Sequence, residues 1–110
     1  MHHTKHSVTR MNQRGISHAM AELVYAYGTA KGDKVIFNQK AAKQRLIEAR
    51  AEKASHEKAL DSGAMSMVAA MHALAKLEEE IRNLTKLIDK HGVVVVVVGG
   101  DVLLTAYGIH

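Results

Sequence analysis

His6, Arg10 and Arg14 recur at four-residue spacing immediately before Gly15 and Ile16. On a helix the three share one face, so an imidazole and two guanidiniums stand where they can grip a phosphate. Gly15 supplies the left-handed residue that ends such a helix. The plainer reading of the same face is a solvated helix surface on which one arginine ties the helix to a sheet. His2, His3 and His6 also offer a chelating set, but histidines at a frayed terminus ordinarily hold nothing, and neither a metal nor another cofactor is expected. Nothing resembles a serine triad or a paired-carboxylate hydrolase, and Gly99-Gly100 has no phosphate-loop pattern around it.

The 110 residues carry 15 Lys and Arg against 11 Asp and Glu, a net charge of +4. That balance favours an acidic partner such as nucleic acid. The excess is uneven: residues 1–38 hold five basic side chains and two acids, and residues 93–110 hold only Asp101. In the middle, Lys40, Lys43 and Arg45 precede the first acid, Glu48, so a basic patch would involve these three. The absence of cysteine excludes disulfides, thiolate zinc sites and a thiol nucleophile. No apolar run approaches the roughly 18 residues of a membrane span and no secretory signal is recognisable, so a cytoplasmic location without a membrane partner is expected.

The elements that must position these groups follow from capping and periodicity. Thr4 or Ser7 can cap a first helix to about Arg14, with Val8 and Met11 facing inward. Ser17 can cap a second, in which Met20, Leu23, Val24 and Tyr27 follow the amphipathic i, i+3, i+4, i+7 pattern and Gly28 marks the end. A Gly32-Asp33 bend leads to a short strand at Val35-Ile36-Phe37, and Asn38 caps the next helix. From residue 39 to His91 the composition is helical, broken only at Asp61-Ser62-Gly63.

Met67, Leu74, Ile81 and Ile88 fall seven apart, with Ala70, Leu77 and Leu84 between them. This is a coiled-coil seam that needs a partner helix. Together with Met71 it forms the candidate interaction surface. The preceding stripe of Ala42, Leu46, Ala49 and Leu60 can fold back on it as an antiparallel hairpin, each arm roughly 35 Å long at 1.5 Å per residue. The alternative is one kinked helix whose seam pairs with a second chain in a homodimer.

Val93 to Val98 and Val102 to Tyr107 flank a glycine turn and read as a β-hairpin. A strand apolar on both faces belongs in the middle of a sheet, with helices packed against it. The fold class is therefore α+β: two N-terminal helices and a small antiparallel sheet, with a long helical hairpin or coiled-coil arm inserted before the C-terminal β-hairpin. The chain is read as one domain, residues 1–38 and 92–110 forming its core and residues 39–91 the arm.

The opening His6-xxx-Arg10-Met11-xx-Arg14-Gly15-Ile16-Ser17, the Tyr27-Gly28 pair and the closing Leu104-Thr105-Ala106-Tyr107-Gly108 resemble a family of small bacterial and phage-borne domains of unknown function. That family is allied with RelE-like and BrnT-like ribonuclease toxins. The resemblance covers roughly residues 3–38 and 92–110. It implies a compact fold that handles RNA without metal, by attack of a ribose 2′-hydroxyl on the adjacent phosphate. His6 is then the acid/base group, Arg10 and Arg14 bind phosphate and Lys40, Lys43 and Arg45 track the RNA backbone, with Tyr107 and His110 joining if the last strand ends beside the first helix. This chain differs in ending on Gly108-Ile109-His110, where such domains usually carry an arginine or lysine, and in its longer middle region. Three readings follow: an RNA-binding or metal-independent ribonuclease domain, a protein-binding module acting through the helical arm, and a structural homodimer.

Overall fold

The structure, a computed structural model, describes residues 2–99 and 102–109, and their side chains other than those of His2, His3, His6 and Ser7. The opening turn begins where the Thr4 carbonyl accepts from the Val8 amide, at 3.1 Å, and α1 spans Lys5–Gln13. It ends as the sequence suggests: Gly15 takes φ +68° and the Ile16 amide returns to the Met11 carbonyl at 2.9 Å, a Schellman closure. Met11 is buried as expected, but Val8 is 41% exposed on the outer side of α1.

Helix α2 spans His18–Tyr27, with the Ser17 hydroxyl accepting from the Met20 amide and Met20, Ala21 and Val24 buried. Gly28 closes it for a reason other than a left-handed turn, since its φ is −74°. A Cβ there would meet the Val24 carbonyl at 2.5 Å and the Val35 side chain at 2.7 Å. Close approach of α2 to the next hairpin is what requires glycine. That hairpin joins β2, Thr29–Lys31, to β3, Lys34–Asn38, through a two-residue loop whose first residue, Gly32, has φ +65°.

Asn38 then caps α3, Gln39–Asp61, and Ser66 caps α4, Met67–Asp89. The two helices form an antiparallel hairpin within one chain, so α3 supplies the partner that the seam needs. Ala42 and Ala49 are fully buried against it, and small side chains on α3 are what let the helices close. Ala70, Leu77, Leu84 and Leu87 are the buried residues opposite, with Leu74, Ile81 and Ile88 half-buried. The first heptad departs from this pattern. Met67 and Met71, at the far end of the arm, are 67% and 62% exposed.

Lys90 ends α4, and the chain turns through His91 and Gly92, at φ +61° and +96°, into β4, Gly92–Val98. The last strand, β5, spans Val102–Gly108, and His2–His3 forms β1. The sheet order is β1-β5-β4-β3-β2, with β1 parallel to β5 and the other pairs antiparallel. The valine strand is thus the middle one. Val93, Val95 and Val97 join Phe37, Leu103 and Ala106 beneath α1 and α2 in one continuous core with Met11, Ile16, Leu84 and Leu87. The opposite face carries Ile36, Val94 and Tyr107 in one row and Lys34, Val96 and Thr105 in the next. A bulge between Val96 and Val97 leaves Leu104 without a partner across the ladder, 41% exposed. The arm gives the molecule its long axis, 47 Å against 26 and 24 Å. Among the described residues no helix is long and apolar enough to cross a membrane.

Candidate functional site

Strand β1 pairs with β5 only at Val102 and Leu103. Past that point the outer edge of β5 is uncovered, and a bare edge carbonyl needs a donor. Arg14 provides it. Its Nη1 donates to the Ala106 carbonyl and to the Thr105 hydroxyl, both at 2.9 Å. Both acceptors are neutral, so neither cancels the field of the guanidinium, and among the described residues Nε and Nη2 donate to no protein acceptor.

Lys90 reaches the same place from the end of α4. Its Nζ donates to the Arg14 carbonyl at 2.8 Å, which puts a cation on the carbonyl end of α1, where the helix dipole favours it. His91 follows in the left-handed conformation, uncommon outside glycine and enriched at functional sites. The Gln39 carboxamide fixes the ring side: its Nε2 donates to the Ile88 carbonyl at 3.1 Å and lies 3.4 Å from His91 Nδ1. With Nδ1 as acceptor, Nε2 carries the proton in the neutral ring.

Arg14, Lys90, His91 and Tyr107 line one cleft of about 450 Å³ together with Asp89 and Gly108. Tyr107 also belongs to the helix-free sheet face, beside Val94 and Ile36, with Lys34 in the next row and Lys31 opposite Lys34 on β2. A guanidinium, an ammonium, an imidazole and a phenol from three chain segments thus converge, and among the described residues they meet the single carboxylate of Asp89. This set can bind a phosphodiester through charge-assisted hydrogen bonds, offer an aromatic ring to a base, and exchange a proton.

The other sequence candidates are placed differently. Arg10 is exposed on α1, with no side-chain hydrogen bond or ion pair among the described residues. The His6 side chain and all of His110 lie outside the described residues, as do the side chains of His2 and His3. Lys40 and Lys43 stand exposed on the first turns of α3. Arg45, grouped with them by sequence, turns inward instead. Its Nε and Nη2 donate to Glu80 at 2.9 and 3.1 Å, its Nη1 donates to Glu52 at 3.0 Å, and its guanidinium lies 4.7 Å from the centre of the Tyr27 ring. The hydrogen bond to Glu80 raises its pKa further above the ordinary arginine value. Burial, followed by the Glu80 charge, pushes the Tyr27 phenol up as well. Arg45 is therefore a brace between α3 and α4 under α2, and its charge is cancelled where it stands.

Lys90 and His91 escaped the sequence reading, which used Gly92 only as a helix stop. The signal was there in a Lys-His-Gly ending, since basic side chains in a last turn face exposed carbonyls. Among the described residues no group of three or more His, Asp or Glu side chains gathers as a metal site. Comparison of the chain with protein-family models, with curated proteins and with solved structures gives no match.

Proposed function

We propose that this chain is a cytoplasmic, toxin-like RNA-binding domain that holds single-stranded RNA across the helix-free sheet face and cuts it, without metal, in the Arg14 cleft. The observation that carries the reading is the convergence of Arg14, Lys90, His91 and Tyr107 in one cleft, with Tyr107 on the sheet face that also carries Lys34 and Lys31. Arg14 and Lys90 take the phosphate, Tyr107 stacks on a base and Lys34 follows the backbone. As the 2′-oxygen bonds to phosphorus and the bond to the 5′-oxygen breaks, Nε2–H of His91 protonates the departing 5′-oxygen and the 2′-hydroxyl proton passes to water. The two-helix, small-sheet core is also what the family resemblance implies.

The test is an RNA pool incubated with the full chain in EDTA, with binding and cutting scored on the same samples. His91→Asn keeps a residue that tolerates the left-handed backbone and should abolish cutting while leaving binding. Tyr107→Leu should weaken binding about tenfold, the loss of one base–aromatic stack. Absence of both cutting and salt-sensitive binding in the parent chain overturns the reading.

A second reading rests on the arm. Met67, Val68 and Met71 are 67%, 81% and 62% exposed on neighbouring positions of α4, an apolar tip of the kind that docks on a protein. Under this reading the chain is a non-enzymatic binding module or a homodimer. Replacing the three by Gln should then abolish complex formation and leave RNA binding intact.

A further inference from the structure

Methionine ordinarily fills gaps in a core, but three of the six in this chain, Met65, Met67 and Met71, cluster at the far end of the arm, where Met67 and Met71 are 67% and 62% exposed. Met65 is set apart from the other two by the turn that joins the helices. With Gly63 at φ +77°, the Ala64 and Met65 amides both return to the Ala59 carbonyl, at 2.9 and 3.2 Å. The chain thereby doubles back along α3. Met65, half-buried, shares a cavity of about 210 Å³ with His56, which stands about one helical turn before Ala59. Ser55, Ala59 and Ala64 complete the lining, so among the described residues no carboxylate faces it. The imidazole is held as a metal-binding histidine is. His56 Nδ1 lies 2.7 Å from the Glu52 carbonyl, and a carbonyl only accepts, so Nδ1 carries the proton. Nε2 of the neutral ring is then an open lone pair, with no partner among the described residues. A backbone carbonyl on one ring nitrogen fixes the tautomer and makes the other a better ligand. The Glu52 carboxylate itself is turned to Arg45.

We propose that His56 Nε2 and Met65 Sδ form a binding site for a soft monovalent metal ion, Cu(I), at the turn of the arm. A thioether beside an imidazole, with no carboxylate, is a soft donor set that suits Cu(I) and leaves Mg²⁺ and Ca²⁺ without their oxygen ligands. Zn²⁺ is disfavoured because its structural sites close around a full tetrahedral set. Cu(I) accepts low coordination, so one nitrogen and one sulfur hold it. The bound ion clips the α3–α4 turn to the last turns of α3. The site lies at the opposite end of α4 from the Arg14 cleft, and it stands whether or not that cleft handles RNA.

The experiment adds Cu(I), kept reduced with ascorbate in the absence of oxygen, to the full chain carrying ¹³C-labelled methionine methyls, and Zn²⁺ to a second sample. The Met65 methyl is assigned by its loss in Met65→Leu. The expected result is a saturable shift of the Met65 methyl with Cu(I) and none with Zn²⁺. Competition with a chromogenic Cu(I) chelator should show affinity reduced about tenfold or more in Met65→Leu and in His56→Gln. Both positions are only half-buried, so the variants keep the fold. A double variant, Met67→Leu with Met71→Leu, should bind as the parent chain does. Shifts confined to the Met67 and Met71 methyls, affinity unchanged in either single variant, or a fall in the double variant would show an ion picked up by exposed thioethers and overturn the proposal. An equal response to Zn²⁺ overturns it too, since the site would then not be a soft one.

Discussion

The arginine at the base of the helical arm and the arginine at the open edge of the sheet are both held in place, but by opposite means. Arg45 is gripped by Glu80 and Glu52, with Glu48 at 3.6 Å, and packs over Tyr27. Arg14 is gripped by a carbonyl and a hydroxyl. A carboxylate that fixes a guanidinium also removes its field; a neutral acceptor fixes it and leaves the field in place. Basic residues in a sequence therefore do not by themselves locate a cationic surface. Their partners decide it, and the deciding ones lie 35 residues from Arg45 and 91 and 92 residues from Arg14.

The sharpest way to break this contrast is to remove each arginine in turn. Arg45→Met leaves Glu80, 15% exposed, without its partner, and should cost about 3 kcal/mol in urea unfolding, the low end for a disrupted buried pair. Arg14→Met should cost about 1 kcal/mol, because the carbonyl it leaves lies at an exposed edge. The order reverses for RNA. Arg14→Met should lower affinity about tenfold, while Arg45→Met, measured where it is fully folded, should leave it unchanged. Equal losses in the two variants would show that the cleft does not bind RNA. Lys34→Ala sharpens the same point: affinity should fall a few-fold across all sequences, and the salt dependence should flatten by roughly 0.7 in log–log slope. The smallest effect is expected at Tyr27. Its pKa is raised in the folded chain, so the folded state holds its proton longer than the unfolded one, and the stability this confers is lost as pH rises above about 10. Tyr27→Phe should flatten that alkaline loss in a pH series of thermal unfolding.

The helices were legible because their signals are local. Ser17, Asn38 and Ser66 each accept from an amide three residues on, and Gly15 and Gly63 take the left-handed turn. The central place of Val93–Val98 was legible because a strand apolar on both faces suits only a middle position. Strand β2 was not, since Thr29-Ala30-Lys31 carries no apolar alternation and becomes a strand only through its pairing with β3. Strand β1 depends wholly on register with β5.

Half of the site was legible for the same reason. Arg14 stands out by its four-residue spacing and by the glycine after it. Lys90 meets it across 76 residues, a juxtaposition that only the sheet order creates. The misassignment of Arg45 has the same origin. Lys40, Lys43 and Arg45 read as one patch, but Glu80, which claims the third, lies 35 residues away.

The arm leaves β3 at Asn38 and returns to β4 at Gly92, residues that face each other in the ladder. Asn38 itself caps α3, and only Lys90 and His91 separate α4 from β4. The arm is therefore joined to the sheet without a hinge. A load applied at the Met67–Met71 tip reaches the sheet through β3 and β4, the two strands to which the arm is joined. Strand β5, bearing Thr105 and Tyr107, is paired directly to one of these two strands, so the cleft lies one ladder from the root of the arm.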